Sequence, residues 1–282
     1  MVRLIMENFS GKTVFITGGS SGIGFAVAKL LSQEGANIAL FARNKMRLAE
    51  SLITIEQVKK RHGQRFAWYQ CDVSDYTQVK KTFTQALRQF DGCDILINCA
   101  GRAYPRYFED ISIKQFEETM KINMFGVWNT CWFLVPHMKA NGGYIVNTSS
   151  VAGLVGVFGY TDYSASKFAI IGFSEALKSE LKRYNITVSV LCPPDTDTPG
   201  FAVENKTKPD ETKEISKSAK LLTPDEVAAA LVHGMKKKKF IILANFDSKL
   251  TWFVKRYAPW LVELIMNSQI MSIQKKKKKA KK

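Results

Sequence analysis

Short apolar runs alternate with longer amphipathic stretches through most of the chain, and this alternation predicts its elements. The apolar runs lie at residues 13–17, 37–41, 65–70, 94–97, 144–147, 186–191 and 240–243, each of strand length. Helical stretches fall between them, at 25–33, from near Asp75, around Asn123, at 162–183 and at 225–235. Strands alternating with helices predict an α/β fold, a doubly wound parallel sheet with its site along the carboxyl edge. Beyond residue 243 the pattern changes. Trp252, Phe253, Tyr257, Trp260, Leu261, Leu264 and Ile265 form an apolar face at helical spacing, interrupted by Pro259. The expected organisation is one unit over 1–245, with a loop at 193–222, an amphipathic segment over 246–274 and a lysine tail over 275–282.

A chain of 282 residues that is 46% hydrophobic is large enough for a single substantial core. Its net charge of +16 is unevenly placed, because seven of the last eight residues are lysine. Lys255, Arg256 and Glu263 interrupt the C-terminal apolar face, so it is too short to span a bilayer. Either it lies in the plane of an acidic membrane with the lysines beside it, or it packs on its own domain or a partner subunit. A nuclear signal or nonspecific nucleic-acid contact is the other use of such a tail, but no recognition module accompanies it. Cys71, Cys93, Cys99, Cys131 and Cys192 are scattered, several in strand-like runs, which suits buried thiols in a reduced compartment. His62, His137 and His233 stand in no metal-ligand motif, so no metal site is expected. The short stretch around Leu4, Ile5 and Met6 lacks the apolar core of a signal peptide.

The chemistry begins with Thr17-Gly18-Gly19-Ser20-Ser21-Gly22-Ile23-Gly24, which joins the first strand to the first helix. Strand, glycine turn and helix make a phosphate-binding frame: Gly18 for the turn, Gly22 for close approach to a pyrophosphate, Gly24 for helix–sheet packing. The second strand ends without the acid that accepts from an NAD ribose, and Arg43 and Arg47 follow instead. They either grip the 2′-phosphate of NADPH or form a solvated basic loop. Asp72, beside Val73, accepts from an adenine amino group or caps the next helix. Asn98-Cys99-Ala100-Gly101 ends the fourth strand in small residues that let a cofactor lie against the backbone. Tyr163 and Lys167, four apart on a helix, share a face, so the lysine favours the ionised phenol. With a serine hydroxyl from Ser149 or Ser150, that pair suits carbonyl reduction or its reverse.

From residue 12 to 242 these features resemble the short-chain dehydrogenase/reductase family in order and spacing, and with it a Rossmann fold. The resemblance implies a tetrad in which Asn123 holds a water linking Lys167 to solvent and Ser150 positions the carbonyl. Tyr163 is then the acid/base, and Lys167 also binds the nicotinamide ribose. Ser150 stands at the family's usual thirteen residues before Tyr163, with Ser149 adjacent. Thr198 stands where a carboxamide contact is expected, although Pro193-Pro194 replaces the family's usual Pro-Gly. The loop from Pro193 to Pro209 and the run 156–161 are similar to one branch of the family, the 3-ketodihydrosphingosine reductases. That branch implies NADPH-dependent reduction of a long-chain lipid ketone, 3-oxosphinganine, by a cytoplasmic enzyme in peripheral contact with a membrane. In a eukaryote the membrane is the cytosolic face of the endoplasmic reticulum, and a homo-oligomer is allowed. A steroid or retinoid reductase would keep the same tetrad. A nucleotide-sensing protein of the same fold would have little use for all four residues. Asp195, Asp197 and Glu204 are expected to face the substrate's ammonium group, or else to cap the turn or pair with Lys206 and Lys208.

Overall fold

The computed structural model describes residues 8–217 and 220–280. Leu4, Ile5 and Met6 of the N-terminal stretch, and Lys281 and Lys282 of the lysine tail, lie outside the described residues. Seven strands form one parallel sheet: β1 (Thr13–Thr17), β2 (Asn37–Ala42), β3 (Phe66–Gln70), β4 (Ile95–Asn98), β5 (Gly143–Thr148), β6 (Ile186–Cys192) and β7 (Ile241–Leu243). Their spatial order is β3-β2-β1-β4-β5-β6-β7. The order reverses between β1 and β4, so a crevice opens at the carboxyl ends of these two strands.

Both faces of the sheet are covered, which explains the nearly continuous apolar strands. Val14 and Ile16 of β1, Ile38 and Leu40 of β2, and Ile95 and Ile97 of β4 point into one core. Phe15, Ala39, Phe41 and Leu96, the residues between them, point into the other. The first core is closed by α1 (Gly22–Gln33) and α9 (Pro224–Lys236), which pack on each other. The second is closed by α3 (Tyr76–Phe90), α5 (Gly126–Met138) and α6 (Thr161–Leu181), while α2 (Lys45–Gln57) follows β2. In α3 the buried Val79, Phe83, Ala86 and Phe90 recur at helical spacing, and Asp75 accepts from Thr77 N and Gln78 N to cap its start.

Two strand edges move by one residue, and side chains bond the main chain beside them. The third strand starts at Phe66, one residue late, with Arg65 N donating to Asn37 Oδ1. The fourth starts at Ile95, with the Asp94 carboxylate accepting from Thr13 N and Lys12 while its main chain bonds Thr13 O and Tyr144 N. The helix expected around Asn123 is interrupted. α4 (Ile113–Met120) passes into a π turn over Lys121–Phe125 before α5 begins.

After β6 the chain forms α7 (Pro199–Glu204) and α8 (Asp210–Lys217). After β7 come α10 (Phe246–Tyr257) and α11 (Pro259–Ala280), with Pro259 starting the second helix instead of kinking one long one. The run 275–279 continues α11 and does not form a separate extended tail. Lys277 reaches Glu211 Oε1 at 3.2 Å, Asp210 Oδ2 at 3.3 Å and the Tyr107 hydroxyl at 3.0 Å, so α11 is tied onto α8. Phe253, Tyr257, Trp260, Leu264 and Ile265 nevertheless stay exposed, while Trp252 and Leu261 are half-buried. Among the described residues no helix is long and apolar enough to cross a membrane.

Candidate active site

The glycine turn between β1 and α1 is built as the strand–turn–helix pattern requires. Gly18 has φ +67°, and a Cβ there would lie 2.8 Å from Ala100 N at the end of β4. A Cβ on Gly24 would lie 2.5 Å from Gly18 O, so this glycine packs the helix start onto the turn. Ser21 occupies the N-cap of α1, yet its hydroxyl makes no capping bond. A cavity of about 480 Å³ opens above this helix start, lined by Ser20, Ser21, Gly22, Ile23, Arg43, Arg47, Asp72 and Val73 among others. Arg43 and Arg47 are exposed at its rim. Asp72 Oδ1 accepts from Ser74 N and Oγ, so it turns the chain into α3 while Asp75 does the capping.

A second cavity of about 440 Å³ shares Ile23, Arg43, Cys99, Gly101, Thr198 and Gly200 with the first and continues to Ser150, Tyr163 and Lys167. Thr198 sits at the junction and caps α7, its Oγ1 accepting from Phe201 N at 3.0 Å. The loop after β6 is anchored early, since Pro193 O accepts from Val151 N at 3.1 Å. The Pro-Pro step thus keeps the loop beside Ser150, and the path left open by the missing glycine is defined.

The two serines separate cleanly. Ser149 is buried and its hydroxyl donates to Lys167 O at 2.7 Å, whereas the Ser150 hydroxyl lines the catalytic cavity, accepting from Ala152 N at 3.1 Å and donating to Pro193 O at 3.4 Å. Lys167 Nζ donates to Thr148 O at 2.9 Å and stands 5.5 Å from the centre of the Tyr163 ring. Burial lowers this lysine from 10.5 to about 8. Burial first, and then the Glu204 carboxylate, push the Tyr163 phenol above its ordinary range, while Ser150 pulls it down. The lowering expected from Lys167 is not seen in this arrangement, where desolvation sets the direction. Asn123 is buried in the π turn, with Nδ2 donating to Arg102 O and Ser166 Oγ and Oδ1 accepting from Arg102 N. These bonds give the widened turn its reason, since they hold the amide against the segment after β4.

Two of the residues singled out by the sequence keep their side chains out of the catalytic cavity. The Asn98 side chain does not line either cavity: it donates to Asn147 Oδ1 at 2.9 Å and accepts from Thr130 Oγ1 at 2.9 Å beneath the sheet edge. A buried amide at a strand end needs such partners, and neighbouring strands supply them. Asp197 is exposed and outside the catalytic cavity, its main chain bonded to Leu222 O. Asp195 and Glu204 do line that cavity, and both pair with Lys208. Lys206 is exposed. Residues given no role by the sequence also line it, notably Arg102 and Tyr104, together with Tyr160 of the run 156–161. Tyr160, one helical turn before Tyr163, was the most readable of them. Among the described residues no group of His, Cys, Asp and Glu is placed to hold a metal.

Residues 12–209 match the family model for short chain dehydrogenases. The chain is 42% identical over 242 residues to a 3-ketodihydrosphingosine reductase of Bos taurus, covering 85% of this chain and 71% of that one. It is 43% identical, with the same coverage, to the 3-ketodihydrosphingosine reductase of Mus musculus. Among solved structures, a short chain dehydrogenase/reductase from Burkholderia phymatum in complex with NAD superposes with a TM-score of 0.80 at 26% identity, covering 91% of this chain and 96% of that one. The chain belongs to the short chain dehydrogenases.

Proposed function

We propose that this chain reduces the ketone of 3-oxosphinganine to sphinganine with NADPH. The observation that carries the reading is Tyr163, Ser150 and Lys167 gathered in one cavity that continues into the glycine-lined one, in a chain 42% identical to a 3-ketodihydrosphingosine reductase. The residues fit a dinucleotide. The start of α1 offers main-chain N–H groups to a pyrophosphate, Asp72 and Val73 border an adenine site, and Thr198 stands at the carboxamide end. Arg43 and Arg47, exposed where an acid would exclude a phosphate, favour NADPH over NADH. When bound, NADPH supplies the hydride.

The chain's own residues handle the oxygen. Ser150 Oγ donates to the carbonyl oxygen and sets its position beside Tyr163 Oη. As charge builds on that oxygen, Tyr163 gives up its proton, and its raised pKa keeps that proton in place at neutral pH until then. Lys167, cationic below about 8, stabilises the phenolate left behind. Asn123 Oδ1 and Lys167 Nζ border the space that a side chain at Gly101 would fill, 3.3 and 3.5 Å from the Cβ position. The relay water of the proposal belongs in this polar niche. The long-chain substrate is met at a membrane surface, with the exposed apolar residues of α10 and α11 lying in the interface. NADPH oxidation measured in parallel against 3-oxosphinganine, a steroid ketone and retinal tests the reading. Preference for 3-oxosphinganine supports it, and preference for either other ketone replaces it.

A further inference from the structure

The outer wall of the catalytic cavity carries a charge group that the reduction itself does not use. Lys208 is almost fully enclosed, its side chain 1% exposed, and its Nζ lies 3.1 Å from Glu204 Oε1 and 3.3 Å from Asp195 Oδ2. The Tyr160 hydroxyl also donates to Glu204 Oε1. Two carboxylates thus share one ammonium, which leaves one negative charge without a partner in this group. Lys208 does not reach the catalytic cavity and lines a smaller neighbouring one, so the carboxylates stand between it and the cleft. Of the other cations lining the cleft, Arg102 pairs through one guanidinium nitrogen with Glu118 at 2.8 Å while its buried Nε has no hydrogen-bond partner, and Lys167 donates to Thr148 O. Arg43 stands at the dinucleotide end.

We infer that Glu204 and Asp195, held by Lys208 and Tyr160, read the ammonium group next to the substrate's ketone, an inference that rests on the amino-ketone reading above. The Tyr160 and Tyr163 rings are 5.5 Å apart, so Glu204 lies one aromatic ring away from the phenol that protonates the ketone. An ammonium on the carbon adjacent to that ketone is carried to the same wall. A lysine held only to brace the loop would need one acid, whereas the second makes this wall complementary to a further cation. A partly dry site strengthens that attraction, and a neutral ketone leaves the surplus charge unmatched. Burial lifts Glu204 while Lys208 and Tyr160 pull it down, so an arriving cation adds to the side that keeps it ionised.

The test compares full-length wild type, Glu204→Gln and Asp195→Asn on 3-oxosphinganine and on the same 1-hydroxy-3-ketone lacking the amine. The readout is the ratio of kcat/KM for the two ketones. Wild type should favour the amino ketone at least tenfold, and each variant should lose most of that ratio. An unchanged ratio, even with both rates lowered, overturns the inference and leaves the acids as loop braces. If wild type reduces neither ketone, the activity reading fails separately. Binding then decides, by titrating sphinganine against the matching 1,3-diol without the amine and following tryptophan fluorescence. A tenfold preference for the amine that Glu204→Gln or Asp195→Asn abolishes sustains the inference, and no preference ends it. Two near-isosteric variants, each checked for its fold by circular dichroism, keep the test open if one does not fold.

Discussion

Lys167→Met should abolish turnover and at the same time make the protein more stable at neutral pH. The lysine is 4% exposed, and burial moves it from 10.5 to about 8. At about 1.4 kcal/mol per tenfold change, holding that charge in the fold costs about 3 kcal/mol at pH 7. The substitution leaves Thr148 O without its donor, which takes back about 1–2 kcal/mol. A net gain of roughly 1–2 kcal/mol corresponds to a melting temperature higher by about 2–3 °C for a chain of this size. The sign with pH follows from the proton count. Between about 8 and 10.5 the folded wild type holds fewer protons on this lysine than the unfolded chain, so its stability rises with pH across that window. Methionine has no such term, and the advantage of the variant should vanish by about pH 10.5. Thermal denaturation of both proteins at pH 7 and pH 10.5 measures this. A variant less stable than wild type at pH 7, or a difference that does not change with pH, would refute the reasoning.

Changing Arg43 and Arg47 together to alanine should raise the KM for NADPH at least tenfold while moving that for NADH far less, and equal losses would remove the phosphate assignment. Ketone reduction should fall as pH rises through about 8, because Lys167 loses the charge that stabilises the departing phenolate; a rate–pH profile flat to pH 9.5 would contradict this. Trp260→Glu with Leu264→Glu, at positions 63% and 60% exposed, should abolish flotation of the full chain with acidic liposomes and spare NADPH binding. Flotation equal to wild type would leave α11 as a helix that serves only its own domain.

Much of this architecture could be read from the chain because its signals are local. Val14 and Phe15 sit in opposite cores, but both are apolar, and a run with no polar face reads as a strand buried on both sides. Gly18 and Gly24 are identified by their place between an apolar strand and a helix, and Tyr163 and Lys167 by a single helical turn. What escaped depends on long-range company. Asn98 looks the same at a strand end whether it faces a ligand or, as here, Asn147 and Thr130. The π turn around Asn123 has no marker in the periodicity, because its cause is the main chain of Arg102. Lys277 meets Glu211 across 66 residues, so a lysine run that reads as a free tail is in part a strap on α8. Asp195 and Glu204 were legible as acids near the site, with Lys206 and Lys208 as alternative partners; that Lys208 alone takes both, and is buried, was not.

The central claim is that the Tyr163 hydroxyl delivers the proton to the ketone of 3-oxosphinganine. Incubating wild type and Tyr163→Phe with NADPH and 3-oxosphinganine, and quantifying sphinganine by mass spectrometry, tests it most directly. The account predicts one sphinganine formed per NADPH consumed by wild type, and a rate at least a thousandfold lower for a Tyr163→Phe protein that still binds NADPH. Sphinganine formed by the variant at a rate near wild type would contradict it.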